Sequence, residues 1–424
     1  MMPAKNTSGT QNIVGAVKRI RSESPTASPP ANGGATLERS KAPSPPRSAE
    51  LAAHSSSHSS TVPVPAARPR RAAERVNKTE ESIWSQVVPF KRRTKDEDFR
   101  ADDMFKFITW NVAGLRGLLK KDSSAIQKLL EEQKPDALCL QETKLNMDDP
   151  INETLGVVPG YQFVDHPCRS KKGYSGTRTY VKREVADEWR AVFVPGFGSL
   201  QSPLIGDGND ADDEGRVLTT YLGTDKGGGE NFSLALVNTY VPNSGMGLER
   251  LPYRYQAFDV KMREHLRNMG KKCRPFMPAG GSSVVDNNGG NDEKPESQTT
   301  LPPLAGVIWA GDLNVAERDY DRYYAGNYIS MQKCSGFTPE ERSSFRETLR
   351  AVNAVDAFRE LYPRAAPVYT FWSSRIGARM RDLGWRLDYF VVSAALTRRV
   401  IDCFTMPNVL GSDHCPVQLW LRKK

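Results

Sequence analysis

Four short polar clusters in this 424-residue chain each sit at the end of an apolar run, where an extended strand would stop. They are Trp110-Asn111, then Gln141-Glu142-Thr143-Lys144, then Gly311-Asp312-Leu313-Asn314, and finally Gly411-Ser412-Asp413-His414. A carboxylate at the margin of a core is costly unless a cation or a hydrogen bond satisfies it. Taken alone, each cluster reads as an ordinary solvated strand end. Asp312 and Asn314 are two residues apart, so they project to one side if the strand continues. The stretch Arg386-Leu387-Asp388-Tyr389 adds a carboxylate that could orient the imidazole of His414. Together the clusters offer carboxylates, carboxamides and one histidine, a set that suits metal-assisted hydrolysis of a phosphodiester. Hard oxygen donors without a thiolate site favour Mg²⁺ over Zn²⁺. Such an ion neutralises charge on phosphoryl and leaving oxygens. An Asp can orient or deprotonate water, and an Asn can hold it.

The elements that must position these groups are legible as periodicity. Phe105 to Trp110 alternates like a strand, Ser123 to Glu132 reads as an amphipathic helix closed by Lys134-Pro135, and Ala137 to Gln141 is a short apolar strand. Further strands are expected at 175–181, 216–222, 232–241, 306–311, 386–392, 400–405 and 417–421. Helices are expected near 253–269, 339–350 and 355–361. Strands outnumber helices and the two alternate, so the class is α/β or α+β with packed sheets.

Charge is distributed unevenly. Residues 1–100 hold 17 Lys and Arg against 9 Asp and Glu, which is +8 of the chain's net +9, so the remainder is nearly neutral. Residues 1–103 are expected to form a disordered, basic, Ser/Pro/Arg-rich extension, and 104–424 the catalytic domain. The clusters Lys18-Arg19-Ile20-Arg21, Arg68-Pro69-Arg70-Arg71 and Lys91-Arg92-Arg93 fit nuclear targeting or a DNA-tethering arm, with a mitochondrial presequence as the alternative and a plain solvated linker as the bland one. Gly- and Asp-rich stretches at 206–214, 225–230 and 278–300 read as surface loops or insertions. No run approaches the roughly 18 apolar residues of a membrane helix. The six cysteines, Cys139, Cys168, Cys273, Cys334, Cys403 and Cys415, show no zinc spacing and read as reduced, inert thiols.

The motifs TWNVAGLRG, PDALCLQETK, GYSGT, NTYVPNSG, GDLNVA, GFTPEER, YTFW, GWRLDYF and GSDHCP occur in that order across residues 105–423. In them the chain resembles the exonuclease III-type apurinic/apyrimidinic endonucleases of the endonuclease/exonuclease/phosphatase superfamily. The resemblance implies a four-layer α/β sandwich, two mixed sheets face to face with helices outside, and an active site at one end of the sheets. It implies Mg²⁺, with Mn²⁺ as substitute, held by Glu142 with Asn111, Asp413, Asp312 and Asn314 around it. It assigns Asp312 to the nucleophilic water, supported by Asn314. His414, oriented by Asp388, and Tyr240 would meet the phosphate. Phe371, Trp385 and Leu387 would form a small apolar pocket for a flipped-out sugar without its base. Asn243 and Met246 would face the DNA, Met246 as a wedge or as a bland loop residue.

Three positions depart from the family pattern. Ala113 stands where many relatives carry Asp, so a tightly held second metal is not expected. Ile108 offers no thiol beside the first strand end. The basic extension and the 278–300 stretch lie outside the shared core. The expected function is therefore base-excision-repair incision 5′ to an abasic site in double-stranded DNA, leaving a 3′-hydroxyl and a 5′-deoxyribose phosphate. The alternatives are a 3′-end-cleaning phosphodiesterase or exonuclease, and a catalytically silent DNA-binding protein. A nuclear monomer is expected, off the membrane, with other repair proteins meeting the N-terminal extension.

Overall fold

A computed structural model describes residues 77–200, 212–225, 229–275, 301 and 303–423. Most of the expected basic extension and the insertion near 278–300 lie outside the described residues. In chain order the main elements are α1 (Glu80–Trp84), β1 (Met104–Asn111), α2 (Leu115–Lys121), α3 (Ala125–Gln133), β2 (Ala137–Gln141), β3 (Tyr161–His166), β4 (Thr177–Lys182), α4 (Arg183–Glu188), β5 (Val192–Pro195), β6 (Val217–Leu222) and β7 (Leu234–Tyr240). Then come α5 (Asp259–Lys272), β8 (Gly306–Asp312), α6 (Tyr328–Met331), α7 (Pro339–Ala351), β9 (Ala354–Asp356), α8 (Ala357–Leu361), β10 (Asp388–Ser393), β11 (Val400–Thr405) and β12 (Val417–Arg422).

The strands form two six-stranded sheets, ordered β11-β12-β1-β2-β4-β3 and β5-β6-β7-β8-β10-β9. Only β1–β2 and β7–β8 pair in parallel; the other neighbours are antiparallel. Strand alternation decides which side chains enter the space between the sheets. Phe105, Phe107, Cys139, Leu234, Leu236, Ile308, Ala310, Phe390 and Val392 share one buried cluster there. The intervening residues face outward onto helices. Ile108, Trp110, Leu138 and Leu140 pack with Leu115, Leu118, Ile126 and Leu129 of α2 and α3. Val237, Val307, Trp309 and Tyr389 pack with Met262, Leu266 and Phe345 of α5 and α7. The result is the expected four-layer sandwich.

Local signals explain the helices nearest the site. Thr338 caps α7 by accepting from Glu341 N at 3.2 Å, and Pro339 supplies the first-turn φ. Glu341 returns the bond to Thr338 N at 3.1 Å and also accepts from Ser244 Oγ and Gly336 N, so one buried carboxylate joins two loops. Ahead of α5, Tyr253–Phe258 is π-helical. Arg254 within it donates to the carbonyls of Pro242 at 3.0 Å and Leu313 at 2.9 Å, tethering the loops after β7 and β8.

Two expectations shift. The predicted helix 355–361 begins as a strand, because Val355 pairs with Val392 before Asp356 caps α8. Order also begins well before residue 104. Ile83 is buried among Phe337, Tyr328 and Leu387. Phe90 packs edge-on to Tyr362 at 5.0 Å. Arg92 pairs with the buried Asp402 at 2.8 Å and lies 3.6 Å from the Phe404 ring. Composition concealed these anchors, since isolated apolar residues in a polar stretch carry no periodicity. Removal of 1–103 should therefore lower the melting temperature by about 5 °C or more relative to removal of 1–76 alone, as the loss of two or three buried side chains implies. Equal melting curves for the two truncations would show that residues 77–103 contribute no stability.

Candidate functional site

The alternation that fills the core with Phe105 and Phe107 also turns Thr109 and Asn111 inward. The same rule turns Gln141, Asp312 and Asp388 inward from their strands, and β8 and β10 set Asp312 directly opposite Asp388. All of these strands present their polar residue at one end of the inter-sheet space. Gly311 makes the last step of β8 possible: its φ is +136°, and a Cβ there would lie 1.9 Å from Thr239 O.

Asn111 is fully buried and its amide bridges two carboxylates, donating to Glu142 Oε1 at 3.0 Å and Asp312 Oδ2 at 2.9 Å. Its Oδ1 accepts from Ala113 N at 2.9 Å, which fixes the direction of the amide. Glu142 takes φ +51°, a left-handed turn that breaks from the strand, and Lys144 Nζ sits 2.9 Å from its other oxygen. Burial disfavours ionisation of Glu142, but Lys144, the Asn111 amide and His414 outweigh it and hold the carboxyl below its usual range. Asp312 is buried beside Asp388 and Glu142, and burial first of all pushes its pKa up to about 7 against the opposing pull of His414. Asn314, at φ +49°, donates its backbone N–H to Asp312 Oδ1 at 2.9 Å and its amide to Val241 O at 2.8 Å. Asn243 donates to Asn314 Oδ1 at 3.0 Å.

His414 Nδ1 lies 2.7 Å from Asp388 Oδ2, and Nε2 lies 3.9 Å from Asp312 Oδ2. Burial works against the imidazolium, yet Asp388 and Asp312 raise its pKa to about 10, so the ring is cationic at neutral pH. Tyr240 ends β7 opposite Asp312, and the Arg216 guanidinium stands 4.6 Å from its ring. Burial and the nearby Glu142 push the Tyr240 hydroxyl well above its ordinary pKa. Phe371, Trp385 and Leu387 share one cluster, with Leu387 buried and the two aromatic rings half-buried. The Phe371 ring centroid is 4.8 Å from that of His414, so this apolar group adjoins the polar one.

Asp413 directly precedes His414, and its charge is among those that raise the imidazole's pKa. Asp413 lines the rim of a cleft of about 480 Å³, together with Ala113, Gly114, Lys121, Trp372 and Ser412. Met246 is 87% exposed, and its Sδ lies 3.5 Å from Arg375 Nη1. Three residues of this region carry bonds that motif reading did not single out. Ser412 Oγ donates to Asn111 O at 2.7 Å and accepts from His414 N at 3.1 Å. Thr370 Oγ1 accepts from Leu387 N and Asp388 N. Gln141 Nε2 crosses between the sheets to Asn238 Oδ1 at 2.8 Å. Ser412 and Thr370 lie inside recognisable motifs, but a hydroxyl's partner cannot be read from a single chain.

The donor chemistry fits a hard cation. Among the described residues, Asp312, Asp388 and His414 place ligand atoms within 4.8 Å of one another, a geometry that could hold a metal ion, through the carboxylates while the imidazole is protonated and through all three once it is neutral. Asp388 Oδ1 is buried without a hydrogen-bond partner. Glu142, the expected main ligand, is linked to this group through Asn111 rather than included in it.

The sequence pattern of the Endonuclease/Exonuclease/phosphatase family matches residues 108–414, which span every strand end described above. The chain belongs to that family. It is 34% identical over 343 residues to the DNA repair nuclease APEX1 of Danio rerio, covering 81% of this chain and 89% of that protein. It is 33% identical over 314 residues to an exodeoxyribonuclease of Bacillus subtilis, covering 74% of this chain and 98% of the relative. The crystal structure of the AP endonuclease LMAP from Leishmania major superposes with a TM-score of 0.70 at 55% identity, over 82% of this chain and 96% of that one. Family membership and fold thus agree with the motif reading.

The Gln141–Asn238 contact offers a test independent of catalysis. Asn238 also donates to the carbonyls of Leu140 at 3.2 Å and Arg178 at 2.9 Å. Asn238→Leu should cost about 1–3 kcal/mol of stability by orphaning buried polar groups. In a double-mutant cycle with Gln141→Leu the losses should be clearly non-additive. Additive losses in urea unfolding would mean that the two amides do not act as a pair.

Proposed function

We propose that this protein is a DNA repair endonuclease that hydrolyses the phosphodiester 5′ to an abasic site, leaving a 3′-hydroxyl and a 5′-deoxyribose phosphate. The observation that carries the reading is the joined set Asn111, Glu142, Asp312, Asn314, Asp388 and His414, all buried but the half-buried Glu142, at one end of both sheets beside a half-buried aromatic pocket. The names of the relatives support the substrate class. Removal of 3′-terminal groups is the second reading, favoured by the likeness to an exodeoxyribonuclease.

Each side chain has a role its surroundings suit. Mg²⁺, or Mn²⁺ in its place, would be held by Glu142 with Asn111, Asp312, Asn314 and Asp413 around it, and when bound would neutralise phosphoryl charge. With Ala113 adding no carboxylate, a single ion suffices. Asp312, its pKa raised toward neutrality, is suited to orient water and accept its proton. The Asn314 N–H keeps that carboxylate aimed. His414 brings a cation to the phosphate, and Asp388 fixes the ring. The Tyr240 hydroxyl, protonated at any physiological pH, donates to a phosphate oxygen. Phe371, Trp385 and Leu387 receive the flipped sugar and exclude one that still carries a base. Asn243 and Met246 face the duplex from the loop after β7. The catalytic unit spans 104–424 together with the anchoring segment 77–103, and the basic extension before that segment serves nuclear targeting, with mitochondria as the alternative address, and meets other repair proteins. The enzyme works as a monomer. No described helix is long and apolar enough to cross a membrane.

Asp312→Asn keeps shape and removes the proton acceptor, whereas Asp388→Asn removes only the partner of His414. In single-turnover incision of an internal abasic duplex, Asp312→Asn should cost roughly 10³-fold or more and Asp388→Asn less, against the usual 10²–10⁴-fold range for acid–base groups. Both should bind abasic DNA near wild-type strength, since phosphate contacts dominate affinity. A greater loss from Asp388→Asn would reverse the two roles.

A further inference from the structure

Most buried arginines in this fold face a carboxylate. Arg178 meets Asp165, Arg216 meets Glu214, Arg254 meets Asp259, Arg342 meets Asp319, and Arg359 and Arg386 share Asp321. Arg322 differs. It is 2% exposed, and among the described residues no carboxylate pairs with it. Its Nη1 donates to Met331 O at 3.3 Å, the neutral side chains of Cys334 and Tyr323 stand beside it, and its buried Nε has no hydrogen-bond partner. Burial lowers its pKa, and the neighbouring Cys334 and Tyr323 only partly oppose that. A methionine or leucine would fill this space more cheaply, because an uncompensated buried charge is costly.

What Arg322 does have is an aromatic face. Its guanidinium carbon lies 3.8 Å from the centroid of the Trp385 ring, and the two residues are bridged through their backbones in antiparallel register. Trp385 is the half-buried indole of the proposed sugar pocket. Phe337 meets it edge-on at 6.4 Å and 86°. Its backbone pairs with Phe371, which in turn bridges to His414. The ring edge adjoins Gly336, where a Cβ would lie 3.6 Å from Trp385 Cζ3 and 3.4 Å from Asn314 O. A contiguous line therefore runs from Arg322 through Trp385 and Phe371 to His414, and Gly336 lies between the indole edge and Asn314.

We infer that Arg322 is a specificity-positioning residue: its planar guanidinium, seated over the Trp385 ring, fixes the wall that admits an abasic sugar and rejects one bearing a base. The inference rests on the endonuclease reading and names what sets its discrimination. A flat guanidinium covers the indole face and attracts it electrostatically, whereas a lysine ammonium at the same place keeps the charge but cannot stack. The contact with the ring, rather than the charge alone, holds the wall. Arg322 touches neither substrate nor reacting atoms and acts through Trp385.

The test measures single-turnover incision by the full-length protein on two matched duplexes, one with an abasic site and one with a damaged base at the same position. Wild type, Arg322→Lys and Arg322→Met are compared, with folding checked by circular dichroism and melting temperature. Both variants should raise the ratio of base-bearing to abasic incision about tenfold, in the range by which a pocket discriminates small changes in size, while the abasic rate falls. A merely structural role would lower both rates together and leave the ratio fixed, which overturns the inference. Arg322→Lys matching wild type would likewise overturn it, because charge alone would then suffice. If Arg322→Met does not fold, Arg322→Lys decides by the same criterion. A wild-type protein without preference for the abasic duplex would instead remove the endonuclease reading, and the inference with it.

Discussion

One carboxamide holds the site together. The Asn111 amide spends both protons on two carboxylates from different sheets, Glu142 after β2 and Asp312 at the end of β8. Two carboxylates brought this close in a buried space repel each other unless donors or cations intervene. Asn111 intervenes from one side, Lys144 and His414 from others. The sandwich exists, from the site's point of view, to bring these groups to one place. Strand alternation supplies the aim: the parity that buries Phe105, Phe107, Ile308, Ala310 and Phe390 also sends Asn111, Asp312 and Asp388 inward. A slip of one residue in β8 would expose Asp312 to the helical layer and bury Trp309 between the sheets.

Supports around the carboxylates resist that slip. Arg254 ties the loops after β7 and β8 to the π-helical turn before α5, and Glu341 ties Ser244 to Gly336. Gly311 accepts a backbone approach that no side chain could tolerate. Ser412 binds the end of β1 to the loop that carries His414. Each support acts on a loop that leaves a sheet at the same end. Precision at the site is therefore a property of both sheets together rather than of one motif.

Much of this was legible in the sequence. Apolar runs ending in Asn, Glu, Asp and His marked the strands and the site at once, and nearly every expected strand matches an observed one within two residues. The motifs fixed the family, and through it the layered sandwich. Other features had no local signature. β5 is short and partly exposed, and β3 is flanked by loops that blur its alternation. The anchors Ile83, Phe90 and Arg92 sit in a stretch whose composition resembles a linker, and only long-range contacts with Leu387, Tyr362 and Asp402 order it. The same limit hid Arg322: its role is defined by an indole 63 residues away, and no spacing rule connects them.

The central claim is that the Asn111-bridged carboxylates hold a divalent cation that works on an abasic phosphodiester. The most direct measurement is the single-turnover rate on an abasic duplex against Mg²⁺ concentration, for wild type and Glu142→Gln, after exhaustive chelation. The account predicts no incision by either protein without metal, and recovery of wild type as Mg²⁺ is added. It also predicts a shift of the Glu142→Gln curve to higher Mg²⁺, by about tenfold or more for a lost charged ligand. Incision by the chelated wild-type protein, or superimposable Mg²⁺ curves, would contradict it.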